Sequence, residues 1–187
     1  LDNGFSVEEI DNLTGPLIGR PKTATFRLLD LVGNDVAAHV ARNLYPAIPN
    51  DPDREVINHD GANAVFDWLL ENGALGNKAD AGFYKMVRGE NGKEFWTLNL
   101  ETKAYEAPSK VRFESVGQYR KHPNTGERIK LLMNADDRAA EFIRRHHAFY
   151  LTYASNRVPE ITNSIVNVDN AQKWGFAHEL GPFEIWD

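Results

Sequence analysis

His146 and His147 stand side by side, and histidine is the side chain whose charge changes near neutral pH. On a helix, adjacent residues point about 100° apart, so the pair cannot close on one metal ion. They are read as helix-surface or interface residues. His39, His59, His122 and His178 have no Asp or Glu at ligand-like helical spacing, so no metal centre is expected. Arg138, Arg144 and Arg145 could meet a phosphate, but a solvated helix face accounts for them. Asp30 and Asp187 fall one turn into short helical segments and are expected to pack or cap rather than to move protons. The stretch Gly19-Arg20-Pro21-Lys22-Thr23-Ala24-Thr25-Phe26 opens a helix, and Lys22 there lies near helical N–H groups of the kind that bind anions.

Other chemistries are missing. The chain has no cysteine, which removes disulfides and thiolate-bound metal. Gly15-Pro16-Leu17-Ile18-Gly19 lacks both the Gly-x-Gly-x-x-Gly spacing and the preceding strand of a dinucleotide site. A net charge of −6 with no basic stripe argues against nucleic acid. No apolar run reaches ~20 residues, so no membrane span is expected, and the first ten residues do not read as a signal peptide. A cytoplasmic location is the expectation. At 187 residues the chain can bury a substantial core.

Helices must do most of the positioning. Ser6 and Glu9 form a capping box for a helix carrying Val7, Ile10 and Leu13 on one face. A second short helix follows at Thr23–Gly33 with Phe26, Leu29 and Leu28 inward. Gly33 ends it, and Asn34 or Asp35 would cap a third helix. Residues 62–70 are amphipathic through Val65, Phe66, Leu69 and Leu70. The period then changes to that of strands around Glu90-Asn91-Gly92, predicting a β-hairpin near 83–105. Residues 107–134 read as a surface connection. A long helix over 136–156 opens with acids and repeats Phe142, Phe149 and Tyr153 at roughly helical spacing.

The chain also repeats itself. Val7 to Asp30 aligns with Ile165 to Asp187, pairing Asp11 with Asp169, Phe26 with Phe183 and Asp30 with Asp187. Phe26-x-x-x-Asp30-x-x-Gly33-x-Asp35 resembles the C-terminal helical domain of the 3-hydroxyacyl-CoA dehydrogenases. Lys78-Ala79-Asp80-Ala81-Gly82-Phe83-Tyr84 is similar to that family's Lys-Thr-Gly-x-Gly-Phe-Tyr, departing at Ala79 and Asp80. Gly181-Pro182-Phe183-Glu184 matches the family's Gly-Pro-Phe-Glu. Two copies in tandem resemble the fused fatty-acid β-oxidation proteins.

The resemblance implies a mainly α fold, a duplicated helical domain of the 6-phosphogluconate-dehydrogenase C-terminal type. One repeat would cover 1–106, a connection 107–134, and a second, truncated repeat 135–187. It implies a part in NAD-dependent oxidation of L-3-hydroxyacyl-CoA, with Pro21, Lys22, Thr25 and Phe26 bordering the acyl/pantetheine cleft. The family's His–Glu pair, its NAD site and its substrate-contacting Asn have no matching positions, so the chain alone is expected to be inactive without a Rossmann domain. An enoyl-CoA hydratase domain and self-association are the partners implied. A non-catalytic helical scaffold is the alternative.

Overall fold

The computed structural model describes residues 4–89 and 92–187, and the chain divides into two compact units. The first comprises Leu1–Asp11 and Thr25–Lys110, the second Asn12–Ala24 and Val111–Asp187. Helices α1 (Val7–Thr14), α2 (Phe26–Val32), α3 (Asn34–Ala47) and α4 (Asp60–Glu71) precede a small sheet. Its strands β1 (Tyr84–Gly89), β2 (Gly92–Leu98) and β3 (Tyr105–Glu106) are antiparallel in that order. Then come α5 (Glu114–Tyr119), α6 (Thr125–Met133), α7 (Arg138–Asn156), α8 (Ile165–Phe176) and α9 (Pro182–Trp186). A mainly helical chain with one hairpin is what the sequence implied. The third strand is an addition, and the turn residues Glu90 and Asn91 lie outside the described residues.

In the first unit, α1 begins as its capping box requires. Glu9 N donates to Ser6 Oγ at 3.2 Å and Ser6 N to the Glu9 carboxylate at 2.9 Å. The core is Val7, Val65, Leu69, Phe83, Tyr84 and Leu98, with Phe26 and Leu29 packed against it. Each such fully buried aliphatic or aromatic side chain contributes about 1.5–3 kcal/mol. Leu28 departs from expectation: it is 42% exposed, because only Phe26 and Leu29 face the core. Asn34 does not cap α3 with its side chain either. It is fully buried and donates to Asp30 Oδ1 and Ala74 O, both at 3.0 Å. Gly33 takes the cap position at φ +108°, backbone that an L side chain rarely adopts.

The second unit corrects the reading of 107–134 as a surface connection. That stretch holds α5 and α6, with Ser115, Val116, Ile129 and Leu132 buried. Arg128 is buried as well, and each of its guanidinium nitrogens is bonded: it donates to the carbonyls of Pro16, Leu17 and His122 and to Thr125 Oγ1. Asp137 caps α7, accepting from Ala140 N at 2.8 Å and from Ser115 N and Oγ at 2.9 Å each. The buried face of α7 is Ala139, Ala140, Ile143, His147 and Ala154, not its aromatic residues, and Phe149 is 49% exposed.

Candidate functional site

In the first unit, the side chains of the two family-like motifs interlock. The Asp30 carboxylate accepts from Phe83 N and Tyr84 N, both at 2.8 Å, while the Phe26 ring lies 4.5 Å from that of Phe83. Lys78 pairs with Asp35, whose carboxyl is held below the usual range by that hydrogen bond. Gly82 is what lets the strand approach: a Cβ there would stand 2.0 Å from Asp30 Oδ1. Gly76 is equally constrained, since its Cβ would meet Asp30 O at 2.3 Å. Among the described residues no cation is a hydrogen-bonding partner of Asp30, and burial outweighs those bonds and pushes its carboxyl up. Such a group holds backbone in place. It is a structural acid, as its sequence position suggested.

Asp11 does the same work one helix earlier. Its carboxylate accepts from the N–H groups of Thr25, Phe26 and Arg27 at 3.0, 2.7 and 3.1 Å, and from Tyr84 Oη at 2.9 Å. This corrects the expectation for Lys22. The N–H groups proposed for an anionic ligand are already capped from within the chain, so the first turn of α2 offers no open anion site. Tyr84 is pushed up in turn, by burial first and then by the Asp11 charge.

The second unit repeats the device. Asp169, on α8, accepts from Phe183 N at 2.8 Å in the first turn of α9. Glu184 reaches back to Gly181 N at 2.9 Å and is gripped by Lys173 at 2.6 Å. A Cβ on Gly181 would stand 2.3 Å from Asp169 Oδ1, which accounts for the glycine of Gly-Pro-Phe-Glu. Asp187, the counterpart of Asp30 by alignment, is exposed. Asp11→Ala is therefore expected to lower stability by about 2 kcal/mol and Asp169→Ala by about 1 kcal/mol, in the range of lost helix caps. Denaturant titration of the two variants checks this; no loss in either would mean that the carboxylates do not cap.

The four residues singled out for substrate fall on both sides of the unit division. Pro21 and Lys22 belong to the second unit and are exposed; Thr25 and Phe26 belong to the first and are half-buried. None of them lines the first unit's cleft of about 420 Å³, whose walls include Phe5, Ser6, Glu8, Val65, Thr97 and Leu98. Nor do they line a shallower cleft in the second unit, bordered by Ile165, Val166 and Phe183. Thr97, which sequence reasoning did not single out, is 6% exposed with an unpartnered hydroxyl in the first cleft's wall.

The histidines need one correction. His147 is fully buried, not a surface residue, and its Nδ1–H donates to Ile143 O at 2.8 Å. His39 is exposed, and His59 caps α4 by accepting from Gly61 N at 3.2 Å. Arg144 is not a free cation on a solvated face: it donates to the carbonyls of Met133 and Ala135 at 2.7 Å each. Among the described residues no group of three or more His, Asp or Glu is placed to hold a metal ion. No helix among them is long and apolar enough to cross a membrane. Nor is the segment between Gly15 and Gly19 a strand-to-helix phosphate turn. Pro16–Ile18 is a 3-10 turn whose carbonyls are taken by Arg128, rather than a strand leading into a helix N-terminus.

A helical domain whose capping acids lock a glycine-bearing strand and a short helix in place is the class this architecture defines. Residues 1–86 match the sequence profile described as 3-hydroxyacyl-CoA dehydrogenase, C-terminal domain, and that part of the chain is identified with the family by the match. Over 187 residues, all of this chain and 23% of the relative, it is 40% identical to a probable 3-hydroxyacyl-CoA dehydrogenase of Bacillus subtilis (strain 168). Over 178 residues, 94% of this chain, it is 27% identical to a protein of Rickettsia prowazekii (strain Madrid E) provisionally named a fatty acid oxidation complex trifunctional enzyme, covering 23% of it. A probable 3-hydroxyacyl-CoA dehydrogenase of Deinococcus radiodurans is 37% identical over 90 residues, 48% of this chain and 24% of that protein. The chain thus spans under a quarter of the length of these relatives. No solved structure matches it.

Proposed function

We propose that this chain is the substrate-side and dimerisation helical domain of an NAD-dependent L-3-hydroxyacyl-CoA dehydrogenase of fatty-acid β-oxidation. The observation that carries this reading is the interlock of Phe26, Asp30, Gly33 and Asp35 with Lys78 and Gly82-Phe83-Tyr84, the family's two motifs brought into mutual contact. In this reading the NAD site and the catalytic His–Glu pair belong to a Rossmann domain outside the chain, and an enoyl-CoA hydratase domain accompanies it in a larger, cytoplasmic protein. Pro21 and Lys22 are the exposed members of the loop bordering the acyl/pantetheine cleft; Thr25 and Phe26 fix that loop from the core side. The two Asp-capped helix pairs derive from one duplicated unit.

Exposed apolar residues support the self-association part. Val36, Val40 and Leu44 recur every four residues along α3 and are 42%, 56% and 42% exposed, and Leu31 before them is 61% exposed. A stripe of that kind favours burial against another apolar surface. The scaffold alternative would keep the stripe and dispense with the chemistry.

Absorbance at 340 nm separates the readings. The larger protein should form NADH from L-3-hydroxyacyl-CoA, whereas the 187-residue chain alone should not. Micromolar binding of NAD to the chain alone, measured by calorimetry, would overturn the division of labour. A larger protein that binds no NAD would favour the scaffold.

A further inference from the structure

Arg20 is a cation without a counterion. Among the described residues its guanidinium has no hydrogen-bond or ion-pair partner; it lies with Cζ 5.3 Å from the centre of the Tyr150 ring. It is half-buried, and burial lowers its affinity for a proton. Around it, on the same unit, stand His146 and Tyr150, one turn apart on α7, and His178 in the loop after α8, each close enough to feel the Arg20 charge. The Tyr150 hydroxyl and Nε2 of both His146 and His147 are shut off from solvent and have no hydrogen-bond partner. Unmet polar atoms are uncommon in folded interiors, and a desolvated charge without a partner is costly. Here a lone guanidinium and three unmet atoms belong to one neighbourhood.

We infer that Arg20, His146, Tyr150 and His178 form an oxyanion site that takes a phosphate group, either free phosphate or the monoester of a larger ligand. Three of these groups then donate to the anion, and His178 borders it. Arg20 offers its planar N–H pair to two phosphate oxygens, the arrangement in which guanidinium binds best. The Tyr150 hydroxyl donates a third bond, and His146, in the tautomer with hydrogen on Nε2, a fourth. Ring contacts flank the histidines: Phe142 stacks 6.0 Å from His146, and Phe176 lies tilted 6.1 Å from His178. Asp169, the acid whose charge reaches Tyr150, is already bonded to Phe183 N. Arg20 directly precedes Pro21 in the loop assigned to the cleft, but this site uses none of Pro21, Lys22, Thr25 or Phe26 and does not depend on NAD.

The test is thermal unfolding and calorimetry of the 187-residue chain with inorganic phosphate, coenzyme A and dephospho-coenzyme A, each variant measured against its own ligand-free baseline. Arg20→Gln should weaken phosphate binding about 10- to 100-fold, the loss expected for charge-assisted hydrogen bonds. Tyr150→Phe should weaken it several-fold while leaving the fold intact, as it removes only the unmet hydroxyl. Arg145→Gln, on the exposed side of the same helix, should leave binding unchanged. Coenzyme A binding that is lost with the 3′-phosphate in dephospho-coenzyme A would identify the monoester of the coenzyme as the occupant; inorganic phosphate alone would identify the free anion. The inference is overturned if neither ligand stabilises the wild-type chain, or if Arg145→Gln reduces binding as much as Arg20→Gln.

Discussion

Replacing Asp30 by Ala is expected to remove about 4 kcal/mol of stability, the largest effect of any single polar substitution in the first unit. Two buried backbone N–H groups, of Phe83 and Tyr84, and the amide of Asn34 would lose their acceptor together. An orphaned buried donor costs about 1–3 kcal/mol, and three of them exceed what is regained by no longer burying the carboxylate. Water cannot easily replace it, because Asp30 is 3% exposed and Asn34 fully buried. Gly82→Ala attacks the same junction from the other side. Its methyl carbon would overlap both Asp30 Oδ1 and Gly76 Cα, so the strand must move away and those bonds lengthen. Denaturant titration followed by tryptophan fluorescence reads both, since Trp68 packs against this core. Asp30→Asn retains one acceptor and should fall between wild type and Asp30→Ala. Losses below about 1 kcal/mol for Asp30→Ala would show that the strand is held by apolar contact instead.

That junction also marks what the sequence could and could not reveal. Phe26, Asp30, Gly33 and Asp35 stood out through the family pattern they resemble, but the contacts of Phe26 with Phe83 and of Asp35 with Lys78 join segments far apart in sequence and were not legible there. The capping box at Ser6 and Glu9 and the cap at Asp137 belong to segments whose start signals lie within three or four residues of one another. Asp11 was legible as half of a repeat but not as a cap. Its partners are 14 to 16 residues on, beyond a turn whose path no local rule specifies. For that reason the N–H groups near Lys22 could not be read as already occupied. Helix α5 is six residues long, too short to show a period, and α6 hides its face because the buried Arg128 lies beside Ile129. On α7 the aromatic residues drew the eye, while the face that packs runs through alanines, Ile143 and His147. Small residues mark close approach of neighbouring elements, a signal weaker than bulk in a single sequence.

Acidification should destabilise the second unit before the first. Burial holds His146 down at about 3, with the charges of Arg20, His147 and His178 adding to it, and burial likewise lowers His147 and His178. Unfolded histidine titrates near 6.5. Between that pH and the folded value the unfolded chain binds more protons, so stability is complete above about pH 6.5 and falls as the pH drops below it. For His146 alone the loss at pH 5 is about 2 kcal/mol. Asp137, held below the ordinary carboxylate range, adds a loss at still lower pH, while Asp169 opposes it because burial raises its carboxyl. In the first unit the sign reverses. Asp11 and Asp30 are both raised by burial, so their folded forms bind protons more readily than the unfolded chain and acid favours them. Amide hydrogen exchange between pH 7 and 5 resolves the two: protection in α6 and α7 should fall while protection in α4 and β2 holds. His146→Phe keeps an aromatic ring against Phe142 without a titrating group and should flatten the loss. Equal loss of protection in both units, or a wild-type profile unchanged by His146→Phe, would place the acid sensitivity elsewhere.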